Sequence, residues 1–423
     1  MEELDWVPVR VGEIDILATA QMPQPVEGPG PVLVLVRVHS RPVDVVSLDL
    51  GPGETVEDHR GRLLARHAEA VARHVARFGC DGPSPDGEPS CVRQRRERLS
   101  AAPPVSVVVA THDRPDLLRR CLDSLLDQDH PALEIVVVDN ARSTDATERM
   151  VAAEFAGRSV RYVREDVAGL ARAHNAGLAH VSGSVVAITD DDVVADRYWT
   201  AALCEAFADE GAGCVTGLIL PAELRTRAQS WVEQYGGFAR GFERRVYSLD
   251  RPPAGDPLFP FSPGRLGSGA NMAFDRALLE RVGGFDPALG AGTKARGGDD
   301  LAAFTRTLLE GETLVYQPDA VVHHHHHSDY AALRRMAQGY GVGLGAYLAS
   351  MIAAHPGVAA DLLRRVPAGV LHLISPRSEK NRNIRADYPR QLVRDERLGL
   401  LRGPVSYVAS RRSVSAADRA ARA

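Results

Sequence analysis

Lysine is almost missing from this chain. Of its 50 basic residues only Lys294 and Lys380 are lysines, which suggests genome composition more than chemistry. A formal net charge of −5 over 423 residues gives no whole-protein case for nucleic acid. Cysteine is scarce too. Cys80, Cys91, Cys121, Cys204 and Cys214 make no C-x-x-C pair and no zinc spacing. An odd count without a secretion signal points to reduced thiols in a cytoplasm. The opening MEELDWVPVR is acidic and lacks the basic-then-apolar pattern of such a signal. No uninterrupted apolar run reaches membrane-spanning length. No G-x-G-x-x-G follows the first strand of the central region, and no G-x-x-x-x-G-K-[ST] occurs, so the dinucleotide and P-loop readings lose their main support. What remains is a chain of ordinary apolar and charged content, long enough for about two or three domains.

Residues 1–80 read as a small α+β module of open role. PVLVLVRVHSRPVDVVSLDL predicts two strands around a turn at Ser40 to Pro42, and Leu64, Ala68, Val71, Val75 and Phe78 mark one face of a following helix. CDGPSPDGEPS and the arginine-rich VRQRRERL place a linker over residues 81–103. From 104 to 330 strands alternate with helices: VSVVVA, EIVVVDN, VRYVRE and SVVAIT are separated by PDLLRRCLDSLLDQ, DATERMVAAEFAG and GLARAHNAGLAHVSG. Continuous Val/Ile runs bounded by helices predict a mostly parallel sheet covered on both faces. Ligands of such sheets sit beyond the carboxyl ends of the strands. Those ends carry Thr111 and Asp113, then Asp139 and Asn140, then Asp166, then Asp190 to Asp192. Residues 331–423 form a helical extension with Gly339 and Gly343 four apart and later arginines such as Arg411 and Arg412. A helical pair packed on the central domain explains this tail as well as contact with an anionic membrane surface does.

VVAITDDDVVAD ends a buried strand on three carboxylates, a run that a solvated loop tolerates and a cation exploits. Positions i and i+2 of an extended segment share a side, so Asp190 and Asp192 can act together. Their hard oxygens suit Mn²⁺ or Mg²⁺ shared with substrate phosphates. The alternative is a solvated loop in which Asp196 helps cap the next helix. In AVVHHHHHS, His323, His325 and His327 share one face of a strand, a set that suits a metal, and Ser328 is placed to cap the next helix. Trp231, Tyr235, Phe238 and Phe242 fit stacking on a sugar and helical core spacing equally, with Trp231 and Tyr235 the acceptor candidates. Asp299 and Asp300 precede an amphipathic helix, where capping alone explains aspartate.

Taken in order, SVVVATHDRPDLLRRCLDSLLDQ, EIVVVDNARSTD, GLARAHNAGLAH and VVAITDDDVV resemble the family-2 glycosyltransferases of the GT-A fold. The resemblance continues through GSGANMAFDRALLERVGGFDPALG and GGDDLAAFTRTLLEG, covers about residues 104 to 330, and leaves both flanks unexplained. It implies that Thr111, Asp113 and Asp139 line the base and ribose pocket of a nucleotide-sugar, with Arg172, Asn175 and Asn271 at the site. Asp190 to Asp192 become the D-x-D motif, with Asp192 the favoured metal ligand and a histidine of 323 to 325 near the metal and diphosphate. Asp300 becomes the catalytic base and Asp299 its helper, although the family usually has Glu-Asp there.

The activity so implied is a metal-dependent, inverting transfer from a nucleotide-diphosphate sugar. UDP is favoured as the carrier, while GDP or dTDP fits the same residues. The acceptor is a carbohydrate, lipid-linked or small-molecule hydroxyl. The setting expected is a bacterial cytoplasm, with peripheral contact at the inner face of the membrane through the C-terminal helices. A nucleotidyltransferase would want a basic, glycine-rich loop after its first strand, and THDRPD is not one. A non-catalytic nucleotide-sugar-binding or scaffold protein has no need of an intact Asp192 and Asp300.

Overall fold

A computed structural model describes residues 7–18, 26, 28–80, 88–234, 237–378, 380–381, 384–385 and 387–422. The N-terminal module contains β1 (Arg10–Asp15), β2 (Gly30–Val38), β3 (Arg41–Leu50), α1 (Arg60–Arg66), α2 (Ala68–Phe78) and α3 (Ser90–Ser100). β2 and β3 form the expected hairpin, with β1 parallel to β2. The turn is made by His39 and Ser40, both at positive φ (47° and 70°). Val32, Val34, Val36 and Val38 face one way, as alternation requires, and pack with Val56 and Leu63. The single helix expected here is two. His67 leaves the helical region (φ −104°, ψ 21°), so Leu63 is buried while Leu64 is 36% exposed. α3 falls within the expected linker, and its buried Arg95 reaches Glu205 at 3.4 Å. Arg37 bonds Asp196 at 2.7 Å and Arg41 bonds Glu205 at 3.1 Å, which docks the module on the central domain.

That domain runs β4 (Val105–Thr111), α4 (Pro115–Leu126), β5 (Leu133–Asn140), α5 (Ala146–Glu154), β6 (Val160–Glu165), α6 (Leu170–Leu178), β7 (Val185–Asp190), β8 (Val193–Ala195) and α7 (Trp199–Glu210). It continues through β9 (Cys214–Pro221), α8 (Arg227–Gln234), β10 (Arg245–Tyr247), β11 (Met272–Asp275), α9 (Arg276–Arg281), α10 (Asp299–Leu309) and β12 (Leu314–His324). The sheet order is β10-β12-β9-β11-β7-β4-β5-β6, with β8 paired to β12. β7, β4, β5 and β6 are the four predicted strands and are parallel. The other half is mixed, because β11 runs antiparallel to both of its neighbours. Val107, Val109, Ile135 and Val137 pack with α4, while Val108, Val136, Val138 and Ile188 pack on the opposite face with α6 and Phe304. Burial on both faces is why these strands read as unbroken apolar runs.

The tail is helical: α11 (Tyr330–Ala354), α12 (Ala359–Ile374) and α13 (Arg390–Arg422). Asp329 caps α11, accepting the Ala332 N–H at 2.7 Å, in place of the expected Ser328, because its carboxylate sits one residue before the first helical position. α11 and α13 cross backbone to backbone: a Cβ on Gly341 would lie 1.9 Å from the Glu396 carbonyl, and one on Gly345 2.3 Å from that of Leu400. Gly339 and Gly343 turn instead toward Arg296 and Gly297. Among the described residues no single helix is long and apolar enough to cross a membrane; α11 and α12 pass that test only as a pair bent by 119°.

Candidate active site

β7 ends at Asp190, and the chain turns through Asp191 and Asp192 into β8. β8 pairs with the end of β12, which sets His324 opposite Val193 and beside the aspartates. One ligand atom from each of Asp190, Asp192 and His324 lies within 4.8 Å of the others. Asp191 points elsewhere, accepting the Thr111 hydroxyl at 2.7 Å. Arg114, at the start of α4, bridges Asp191 at 3.2 Å and Asp192 at 3.3 Å.

The crowding has an electrostatic cost. Burial and then the charge of Asp192 push the Asp190 carboxyl up to about 7, and the same two causes lift Asp191 to about 6. Burial works to raise Asp192 as well, but His324 and Arg114 outweigh it and hold that carboxyl below its ordinary value. Burial opposes protonation of His324, and Asp192 overcomes it. The buried Asp192 Oδ1 accepts no hydrogen bond and stands 3.3 Å from His324 Nε2. Two carboxylates and an imidazole, with one carboxylate oxygen unpartnered, fit a divalent cation, whose charge would remove the repulsion.

These groups line a cavity of about 1440 Å³ that also holds Asp299 and Asp300. Both stand in the first turn of α10, after Gly298 in the left-handed region (φ 89°). Asp300 accepts the backbone N–H of Gly269 at 2.9 Å and of Leu301 at 2.8 Å, bonds that favour its ionised form against burial, which raises it. Asp299 is 4% exposed, and burial followed by the Asp300 charge pushes it up to about 8. His174 of α6 lies 3.6 Å from Asp299, buried with neither ring nitrogen partnered and pushed down to about 4 by burial. It is a neutral imidazole against a neutral carboxyl.

Other expected residues are placed at the carboxyl ends of β4 and β5, where Thr111 and Asp139 are in register. Asp139 is fully buried; one oxygen accepts the Tyr162 hydroxyl at 2.8 Å and the other has no partner. Asp113, at positive φ (53°), accepts Ser143 N at 3.1 Å and Ser143 Oγ at 2.6 Å. Arg172 lies in the first turn of α6.

Several expectations need correction. Asn175 donates to the Phe285 carbonyl and accepts the Phe285 N–H, both at 2.8 Å, so its amide holds the GGFD loop. Asn271 is fully buried and spends its amide on Leu218, Ala320 and the Trp199 indole, tying β11 to its neighbours. His324, and neither His323 nor His325, brings a ring nitrogen within 4.8 Å of the Asp190 and Asp192 carboxylate oxygens. Strand alternation turns His323 toward the charges of Arg37, Glu13 and Asp196, and β12 ends before His325, which sits among Glu223 and Arg120. Trp231 packs with Leu333, Ala337 and Leu392 and does not line the cavity, so it is a core residue. Tyr235 lies outside the described residues. Phe238, from the same aromatic run, does reach the cavity, its ring 5.6 Å from that of His324.

Arg114 and His174 were missed. His174 shares a helical face with Ala171, buried beside it, and that i, i+3 spacing in GLARAHNAG was a usable signal. Arg114 carried none, since its role depends on a turn.

Residues 106–283 match the model of "Glycosyl transferase family 2". The chain is 27% identical over 263 residues to the pre-mycofactocin glycosyltransferase of Mycobacterium tuberculosis, covering 62% of this chain and 49% of that one. It is 25% identical over 252 residues to the glucosyl-dolichyl phosphate glucuronosyltransferase of Haloferax volcanii, covering 56% and 75%. It spans 13% and 24% of the length of two further matches, a glycosyltransferase of Streptococcus pneumoniae and an O-antigen biosynthesis protein of Myxococcus xanthus. A mannosyltransferase of Pyrobaculum calidifontis, solved with GDP-Man and Mn²⁺, superposes with a TM-score of 0.43 at 23% identity, over 84% of this chain and 87% of that one.

Proposed function

From the premise that the chain belongs to glycosyltransferase family 2 through residues 106–283, we propose that it moves a sugar from a nucleotide-diphosphate donor, UDP favoured, to an acceptor hydroxyl with inversion. The observation that carries this reading is that the Asp190, Asp192 and His324 cluster and the Asp299–Asp300 pair line one cavity. Asp190, Asp192 and His324 would hold Mn²⁺ or Mg²⁺, and the bound ion supplies charge stabilisation for the departing diphosphate.

The chain's own residues do the rest. Asp300 takes the acceptor hydroxyl proton as that oxygen attacks the sugar C1 and the C1–O bond to diphosphate breaks. Of the two carboxyls, Asp299 holds its proton near neutrality, so the negative charge belongs to Asp300. The N–H groups of Gly269 and Leu301 and the start of α10 orient that charge. Thr111 and Arg114 keep Asp191 turned away from the pair it adjoins. Asp113, Asp139 and Arg172 serve the base and ribose.

Calorimetric titration with UDP, GDP and dTDP, with and without Mn²⁺, on wild type and Asp192→Ala tests this. One nucleotide should bind only with metal and only to wild type. Binding of none of the three to folded protein in either condition would sink the proposal.

A lipid-linked acceptor, with peripheral membrane contact, is favoured by one feature of the tail. α12 exposes Leu363, Val366, Val370, Leu371 and Ile374, and Leu363 and Val366 also line the cavity. An apolar face continuous with the site lets a lipid chain lie along α12 while its sugar or phosphate head reaches Asp300. The relative from Haloferax volcanii carries the name glucosyl-dolichyl phosphate glucuronosyltransferase.

A further inference from the structure

A second group of ligand-type side chains lies in the N-terminal module. We propose that His39, His74, Cys80 and Cys91 form a structural zinc site. All four residues are buried, and one ligand atom from each lies within 4.8 Å of the other three. His39 Nδ1 is 3.3 Å from His74 Nε2, and Cys91 Sγ is 3.5 Å from His39 Nδ1. A tetrahedron with Zn–N of about 2.0–2.1 Å and Zn–S of about 2.3 Å has edges of roughly 3.3–3.8 Å, and both distances are of that size.

The chemistry also fits. Two imidazoles and two sulfurs meeting at one buried point have only weak thiol donors and at most two ring protons to share among themselves. Zn²⁺ would take all four as ligands, releasing the two thiol protons, and two thiolates would cancel its charge, so the buried site is neutral. Soft sulfur and imidazole in a four-coordinate set select Zn²⁺ over the Mn²⁺ or Mg²⁺ suited to the carboxylates of the cavity. Outer contacts are present. Ser90 Oγ stands 3.5 Å from Cys80 Sγ, and Asp15 accepts the backbone N–H groups of His39 at 3.1 Å and Ser40 at 2.6 Å, fixing the turn that presents His39. Four protein ligands leave no open position, so the site is structural.

Its consequence is mechanical. The ligands come from the β2–β3 turn, from α2, from the residue that follows α2 and its cap, and from α3. Zinc would tie that turn to α3, whose Arg95 bonds both Ser40 Oγ and Glu205 of α7. The module would then sit as one braced unit on the transferase domain. No ligand pair has a short C-x-x-C or H-x-H spacing, so the set exists only in the folded chain.

Elemental analysis of the full chain, purified without strong chelator, tests the proposal. About one zinc per chain is expected in wild type and in Asp192→Ala, and less than a tenth of that in the double variant Cys80→Ser, Cys91→Ser. Losing structural zinc also unfolds many small domains, so a second readout uses wild type alone. Reloading the chain with Co²⁺ should give the thiolate-to-cobalt charge-transfer and tetrahedral d–d bands of an S₂N₂ site. Absence of zinc together with a cobalt spectrum lacking thiolate bands would overturn the proposal. So would a Cys80–Cys91 disulfide in protein purified anaerobically, or zinc that is lost with Asp192→Ala and retained in the serine variant.

Discussion

A methyl placed on Gly343 of α11 would lie 2.9 Å from the carbonyl carbon of Gly297, closer than real side chains approach backbone. Gly297 and Gly298 lead directly into Asp299 and Asp300, so the tail sets the height of the proposed base. Gly343→Ala should therefore cost about 1–3 kcal/mol of stability and lower kcat, while metal-dependent nucleotide affinity, which rests on Asp192, stays unchanged. Gly357→Ala, where nothing lies within 4 Å, is the control. Thermal melts, turnover and nucleotide titration on both variants would check this; equal behaviour of the two would refute the coupling.

The two aspartates of α10 should separate by role. Asp300→Asn is expected to lower turnover by about 10²–10⁴-fold with donor binding retained. Asp299 titrates near 8 in the folded chain against about 3.9 unfolded. Between those values the folded state holds a proton that the unfolded chain has released, so its contribution to stability falls as pH rises from about 4 to about 8. Asp299→Asn should remove that slope. Melting temperatures in metal-free buffer should exceed wild type at the alkaline end and converge near pH 4. A constant offset across the range would show that Asp299 does not titrate in this way.

Of His323, His324 and His325, only His324 should matter for the cation. His324→Ala is expected to weaken Mn²⁺-dependent nucleotide binding by at least about tenfold, whereas His323→Ala and His325→Ala should change it by less than about threefold. Titration of the three variants decides between them, and an equal loss in all three would mean that the phase of β12 is wrong.

Membrane contact through α12 can be read without any acceptor. Sedimentation with vesicles containing anionic lipid should pull down wild type, and the pair Leu363→Glu, Leu371→Glu should cut the bound fraction severalfold at unchanged melting temperature, since both side chains are more than 60% exposed. Wild type left in the supernatant would end the lipid-surface reading and favour a soluble carbohydrate or small-molecule acceptor.

Much of the candidate site has a local signature in the sequence. Val/Ile runs bounded by helices announce β4, β5 and β7 because burial on both faces imposes that composition locally. The end of a parallel strand is where carboxylates reach a ligand, so the Asp190 to Asp192 triplet was interpretable from its place in the pattern. Asp299 and Asp300 were marked by the amphipathic helix they start. Tertiary structure alone decided the rest. The pairing of β12 with β8, not the run of histidines, sets His324 beside Asp192. Asn175 and Asn271 look like site residues in one dimension, and folding brings close the backbone groups and the Trp199 indole that take up their amides. His39, His74, Cys80 and Cys91 converge because a turn, two helices and the residue after one of them pack together. Local patterns record how each segment is buried; which distant side chains meet depends on how the segments cross.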